Sequence, residues 1–448
     1  MIMNCSQYTG KCVCGREHTL ETKMVVVEYN AIANFEKYME QVGLAGKRRA
    51  VVTDSVIYKL TEGKHIAADQ TIVLESKGLR SEDILIEDMM KQLDHPEVIV
   101  AYGAGTIMDF GRYPAHKLGI PFVAVPTLAS SDGFTANICS VILEGQKKSI
   151  PMQAPDLVVA DLDIIKGAPA RLVASGINDI LSKYISLVDW RISRLVTDEY
   201  YCPMVAELAD QALSIMRNAA DVYAETGVAD IEAMTMAQML SGLTMQLLNH
   251  SRAASGAEHL IAHLVEMKPP RFEEAEGIHG ECVGVGTYLC AKKYHELAKL
   301  TPKAKAYAPL TEEWITEKFG TRLAAGIVKE NANDILATFD AQKIVDKWED
   351  IRNLISTIPA PETLEKLRKS FYFGSGIRSI LRKTDHLVSF FRSESLGKQF
   401  ALLHLHCFGN ALFHVILGIT EFFCHLLEIP GELVKCLGKD IGSEPSFG

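Results

Sequence analysis

Between residues 24 and 161 short apolar runs alternate with stretches that are apolar at helical spacing. Met24–Val27, Ala50–Thr53, Thr71–Leu74, Glu97–Ala101, Pro121–Val125 and Asp156–Asp161 read as buried strands. Ala31–Val42 and Ser81–Leu93 read as helices, the second capped by Ser81 with acids in its first turn. A third helix follows the glycine-rich turn at residue 103 and runs to about Leu118. Cys139–Leu143 and Lys148–Ile150, joined by Glu144-Gly145-Gln146, read as a hairpin. This alternation predicts an open parallel sheet covered by helices. From Ala168 the pattern is helical only, over Ala168–Trp190, Asp198–Tyr223, Asp230–Asn249, Gly280–Leu300, Thr311–Val328, Ile335–Ile358 and Pro361–Ser370. The change near residue 165 predicts two domains. Residues 1–165 are expected to form a Rossmann-like, nucleotide-binding α/β domain, and residues 166–448 an all-α domain.

Composition narrows the class. The chain has 448 residues, 48% of them hydrophobic, enough for two domains with full cores. The net charge is −10 and no basic stripe is interleaved with aromatics, so nucleic-acid binding is not expected. Ten scattered cysteines in a chain of this size suit a reducing, cytoplasmic setting rather than a disulfide framework. Met1–Gly15 lacks a basic region followed by an apolar run, so no signal peptide is expected there. Cys12, Cys14 and His18 resemble a zinc knuckle, but the spacing is not C-x2-C and no second pair completes it. A hairpin turned on glycine is the expectation.

The histidines point to chemistry. His259 and His263 stand at i and i+4, one face of a helix, and His279 opens a later helical run of small residues. A divalent metal that acts on a substrate needs about three protein ligands and an open position. Two of these histidines and one carboxylate would suffice, whereas a lone histidine is more often a satisfied core residue. Asp179, in Ser175-Gly176-Ile177-Asn178-Asp179 within an apolar helix, supplies a carboxylate that is costly unless paired or bound to a cation.

Ligands of open α/β sheets sit at the carboxyl ends of strands. Gly103-Ala104-Gly105 follows a strand and precedes a helix, which makes it a phosphate cradle or an ordinary tight turn. Asp54 ends another strand, placed either to bond a cofactor ribose or to cap the next helix. A hydroxyl-rich loop, Thr127-Leu128-Ala129-Ser130-Ser131-Asp132, follows a third. Ser251–Gly256 directly precedes His259. Its Arg252 is a fork suited to a phosphate, with Ser255 as a further donor; the bland alternative is an arginine capping the preceding helix.

Five runs together resemble the glycerol-1-phosphate dehydrogenase family: G-A-G-T-I-M-D, V-P-T-L-A-S-S-D-G, S-G-I-N-D, S-R-A-A-S-G-A-E-H-L-I-A-H and H-G-E-C-V-G-V-G-T. That family sits in the wider group of iron-containing alcohol dehydrogenases, glycerol dehydrogenase and dehydroquinate synthase. The resemblance covers about residues 12 to 360. Ala253 departs from the usual Pro, Ala262 from Ser, and Ala104 from a middle glycine. It implies a dehydroquinate-synthase-like fold and metal-dependent reduction of dihydroxyacetone phosphate to sn-glycerol 1-phosphate, a step of phospholipid biosynthesis.

By the same resemblance Asp179, His259 and His279 are the metal ligands, with zinc or nickel as the ion. Gly103, Gly105, Thr106 and Asp109 hold the diphosphate and nicotinamide side of the cofactor. Thr127, Leu128 and Ser131 line its channel. Asp132 and His263 face the substrate as catalytic groups beside Arg252 and Ser255. A negative Asp54 favours NAD over NADP. A homodimer is also implied. Glycerol dehydrogenase, a dehydroquinate-synthase-like cyclase and a degenerate non-catalytic binding protein remain open alternatives. Phe400–Ile429, in the divergent tail 371–448, is apolar but interrupted by Gly409, Asn410, Gly418 and Glu421. It is not expected to insert stably in a membrane, which takes about 20 predominantly apolar residues.

Overall fold

The computed structural model describes residues 1–143, 146–268, 277–304, 311–330 and 339–370. The tail 371–448 and its histidines lie outside the described residues. The strands are β1 Ile2–Asn4, β2 Gly10–Lys11, β3 Glu17–His18, β4 Met24–Glu28, β5 Arg49–Asp54, β6 Gln70–Leu74, β7 Val98–Gly103, β8 Phe122–Pro126, β9 Ile138–Leu143, β10 Gln146–Pro151 and β11 Leu157–Asp161. Seven make one sheet in the order β1-β4-β11-β8-β7-β5-β6, parallel except for β1 at its edge. β2–β3 and β9–β10 are separate antiparallel hairpins.

The strands are apolar throughout because the sheet is covered on both faces. Val25, Val27, Ile99, Ala101, Ala124 and Val158 pack into one core, and Val26, Val98, Val100, Val123, Val125 and Val159 into another. This is the period of two that a pleated strand imposes. The chain passes from β5 out to β6 and then returns to the other side of β5 as β7. That reversal opens a crevice at the carboxyl ends of β5 and β7, where Asp54 and Gly103 lie.

The α-helices of the first part are α1 Phe35–Gln41, α2 Ser55–Leu60, α3 Asp83–Met90 and α4 Gly105–Leu118. After α5 Leu162–Ile165 come α6 Ala170–Leu181, α7 Lys183–Thr197, α8 Pro203–Thr226, α9 Ile231–Leu248, α10 Ala257–Met267 and α11 His279–Leu297. Five shorter helices lie among the described residues between Glu312 and Ser370. Among the described residues no strand follows β11, and no helix is long and apolar enough to cross a membrane.

Several element boundaries differ from the pattern read along the chain. Ala168–Trp190 is two helices, since Ser182 Oγ and Lys183 Nζ both bond the Asp179 carbonyl and interrupt the ladder. α8 starts at Pro203 rather than Asp198, because Asp198 takes a left-handed conformation (φ 58°) that ends α7, and Pro203 favours a helix start. Thr311–Val328 breaks at Gly320. Ser81 does not cap α3; its hydroxyl donates to Asp109 Oδ2 at 2.7 Å.

Candidate active site

Three helices bring the metal-type ligands together. Asp179 lies near the end of α6, His259 in the first turn of α10, and His279 begins α11. α11 approaches the other two closely because it is small along that face. A Cβ on Gly280 would overlap the Ser175 carbonyl of α6, and one on Gly286 would overlap the Glu258 carbonyl of α10. Asp179 Oδ1 is buried without a hydrogen-bond partner, 3.4 Å from His259 Nε2 and 3.7 Å from His279 Nε2.

Each histidine is turned by a carboxylate behind it. His259 Nδ1 lies 2.8 Å from Glu258 Oε1, and His279 Nδ1 lies 2.8 Å from Glu266 Oε1. Nε2 of both rings is thereby aimed at Asp179, the outer-shell arrangement of metal-ligating histidines. An orphaned carboxylate oxygen facing two oriented imidazoles fits a divalent cation. His263, Glu266 and His279 also converge, but Glu266 is occupied by the His279 ring and by Lys147.

The charges follow from burial and pairing. Burial works to raise the Asp179 carboxyl, but Lys183, His259 and His279 outweigh it and hold it far below the usual range. Burial works to lower His259, yet the carboxylates of Asp179 and Glu258 beside it lift it to about 9. Burial, with the Lys147 charge, pushes His263 well below the ordinary histidine value, so that ring stays neutral. It stands against the other two, with ring centroids 6.2 Å from His259 and 5.9 Å from His279.

The hydroxyl-rich loop after β8 docks on the same helices. The Asp132 N–H donates to Asp179 Oδ2 at 2.9 Å. The Asp132 side chain, expected at the substrate, is buried beside Asp179. Its Oδ2 lies 2.7 Å from Lys183 Nζ and accepts from Ser241 Oγ at 2.7 Å. A carboxylate in that position needs a cation, and Lys183 supplies it. Lys183 was not singled out from the sequence, although it stands one turn from Asp179 on an otherwise apolar face. Glu266, three residues after His263, carried a similar signal.

At the carboxyl ends of the strands the Thr127 N–H donates to the Gly103 carbonyl at 3.1 Å, tying β7 to the loop. An ideal Cβ on Gly105 would meet only Ser131 Oγ, at 3.9 Å, so the turn is open on that side. Thr106 and Ser131 are half-buried, Leu128 is buried, and Thr127 Oγ1 is buried without a partner. Asp54 caps α2, its Oδ1 accepting from Val56 N at 2.9 Å and Ile57 N at 3.0 Å. Asp109 is turned away from the cradle, with Oδ2 on Ser81 and Oδ1 accepting from Cys139 Sγ and Ser140 N.

Arg252 is buried, not a surface cap. It lies in the turn Ser251–Ala253, with Nε 3.2 Å from Glu199 Oε1, and its Nη1 and Nη2 are buried without partners. Asp189 lies nearby on α7, its carboxyl raised to about 7 by burial and by Glu258. Ser255 is half-buried between that turn and α10.

Residues 26–169 match the family described as iron-containing alcohol dehydrogenase. The chain is 34% identical over 309 residues to a glycerol-1-phosphate dehydrogenase [NAD(P)+] of Halalkalibacterium halodurans, covering 67% of this chain and 77% of that protein. It is 30% identical over 367 residues to one of Geobacillus stearothermophilus, covering 80% and 85%. Two solved structures share the fold. One is a probable glycerol dehydrogenase from Sinorhizobium meliloti (TM-score 0.51, 21% identity, 78% of this chain and 94% of that one). The other is an archaeal halo-thermophilic alcohol dehydrogenase from a Red Sea brine pool (TM-score 0.54, 13% identity, 94% and 97%).

Proposed function

This chain belongs to the glycerol-1-phosphate dehydrogenase family, and we propose that it reduces dihydroxyacetone phosphate to sn-glycerol 1-phosphate, an NAD(P)H- and metal-dependent step toward phospholipids. The observation that carries this reading is the convergence of Asp179 Oδ1, His259 Nε2 and His279 Nε2. Imidazole and carboxylate ligands suit zinc or nickel. When bound, the ion supplies a Lewis acid for the ketone, and the nicotinamide supplies hydride.

The chain's own residues prepare that chemistry. Glu258 and Glu266 fix the two ligand rings, and Lys183 with Asp132 braces Asp179 from below, a positioning role. Gly103, Gly105 and Thr106 offer backbone N–H groups to the diphosphate at the start of α4. Thr127, Leu128 and Ser131 line the nicotinamide side, and Asp109 holds the β9 wall. Asp54 Oδ1 caps α2 and leaves Oδ2 for ribose hydroxyls, which favours NAD over NADP. His263, kept neutral, faces the substrate one turn from His259. Glu199 orients Arg252 through Nε, and its two unpartnered Nη groups take the phosphate with Ser255. The free cysteines support a cytoplasmic setting. The expectation of a homo-oligomer rests on the family resemblance alone.

The test follows NADH oxidation with dihydroxyacetone phosphate and with dihydroxyacetone, in the wild type and in Arg252→Ala, with chiral analysis of the product. The phosphorylated ketone is strongly preferred, and the variant loses about 2–5 kcal/mol of transition-state binding toward it alone. That is roughly 30- to several-thousand-fold in kcat/KM. Comparable wild-type rates on both ketones would move the assignment to glycerol dehydrogenase. A preference that survives Arg252→Ala would place the phosphate on other residues.

A further inference from the structure

The N-terminal hairpin carries a cluster that the dehydrogenase chemistry does not use. Cys12 and Cys14 stand in the turn between β2 and β3, and His18 closes β3. Cys202, 184 residues beyond His18, immediately precedes α8. The turn is tight: Cys12 N donates to Arg16 O at 2.9 Å and Gly15 N to Cys12 O at 3.0 Å, with Gly15 at φ 86°. Three sulfurs and one imidazole nitrogen from these four residues lie within 4.8 Å of one another. Cys12 Sγ is 3.7 Å from Cys202 Sγ, while His18 Nε2 is 3.3 Å from Cys14 Sγ and 3.2 Å from Cys202 Sγ.

The buried His18 ring is oriented for a ligand. Its Nδ1 lies 2.8 Å from the Leu247 carbonyl, which can only accept. The neutral ring therefore carries its proton on Nδ1 and turns the Nε2 lone pair toward the sulfurs, as the outer-shell bond of a metal-ligating histidine does.

We propose that Cys12, Cys14, His18 and Cys202 form a second metal site, a closed structural zinc centre. Zinc bonds sulfur at about 2.3 Å and imidazole at about 2.0–2.1 Å. A tetrahedron of those lengths has sulfur–sulfur edges of about 3.8 Å and sulfur–nitrogen edges of about 3.6 Å. The three separations given above lie within about 0.4 Å of those edges. A disulfide needs sulfurs about 2.05 Å apart, far closer than Cys12 and Cys202 stand. Thiolates select a soft or borderline ion such as zinc over magnesium, calcium or manganese. Four protein ligands leave no open position, so the centre is structural. It ties the hairpin to the start of α8 and to Leu247 at the end of α9, just before the turn that leads into α10. The sequence hid the site because its fourth ligand comes from a helix start far along the chain.

Cobalt substitution of the full-length chain separates the two sites, since the Asp179 site has no sulfur. The wild type binds about two divalent ions per chain and shows thiolate-to-cobalt charge-transfer absorption in the near-ultraviolet. His259→Ala keeps that band with about one ion. Cys14→Ser loses the band and keeps about one ion. To guard against misfolding of that variant, a mercurial thiol reagent is added to the unaltered zinc-loaded chain, with released zinc read by a chromophoric chelator. About one equivalent is released. Absence of the thiolate band from cobalt-loaded wild type, release of no zinc by the mercurial, or a Cys12–Cys202 disulfide in the unreduced mass would each overturn the proposal.

Discussion

Lys183→Met tests whether the buried ion pair beneath Asp179 organises the centre. The Lys183 side chain is 0% exposed, with Nζ 2.7 Å from Asp132 Oδ2 and donating to the Asp179 carbonyl at 2.8 Å. Burial works to lower its pKa, but Asp132 and Asp179 outweigh that and raise it above the ordinary lysine value. Lys183 is therefore charged below pH 10.5, and the contribution of its raised pKa is lost only as the pH rises through the higher folded value. Methionine conserves most of the volume, so the main effect is electrostatic. Asp132 would keep only Ser241 Oγ as a side-chain donor.

Removing one partner of a buried pair costs about 3–5 kcal/mol. At about 1 °C per kcal/mol for a chain of 448 residues, Tm falls by roughly 3–5 °C. Unfolding is measured by denaturant and by heat, with chelator present in every sample so that metal linkage does not enter. Lys183→Met/Asp132→Asn removes both charges and should recover about 1–2 kcal/mol relative to the single variant. A single-variant cost below about 1 kcal/mol, or a double variant no more stable than the single one, would refute the reasoning.

Three further outcomes follow from the same geometry. His259→Ala should lose both the Asp179-site metal and turnover, while His263→Ala keeps the metal; elemental analysis and NADH oxidation of each check this. Because His259 is raised to about 9 in the metal-free chain, it must release a proton to bind metal. Zinc affinity of that site should rise about tenfold per pH unit toward pH 9 and then level off, as read by competition with a chelator of known affinity. Asp54→Ser keeps a capping oxygen for α2 but removes the charge, so efficiency with NADPH should rise relative to NADH while Tm changes little. Asp54→Ala should also cost about 1 kcal/mol of stability through the lost cap.

Apolar runs at Ala50–Thr53, Pro121–Val125 and Asp156–Asp161 were enough to announce a parallel sheet, because a strand buried on both faces has no polar side to interrupt it. The glycine turn at 103–105 and the Asp179, His259 and His279 motifs were legible for a related reason. A turn that must lie open to an anion, or a side chain that must carry a lone pair into an apolar interior, tolerates few residue types. Local pattern was a poorer guide to Ser81 and Asp132. Both have polar side chains that suit solvent or a ligand, and which partner each takes depends on an element distant in sequence. Ser81 met Asp109 of α4, and Asp132 met Lys183 of α7.

The sequence by itself thus determined the layers, the glycine turn after β7 and the residue types that meet at the candidate metal site, since each is written in the periodicity or type of neighbouring residues. Tertiary structure alone decided which carboxylate stands behind which histidine, that Arg252 is held by Glu199, and that Cys202 joins Cys12, Cys14 and His18. Those pairings are distances between segments up to 190 residues apart, and a distance of that kind is set only when packed helices bring their faces together.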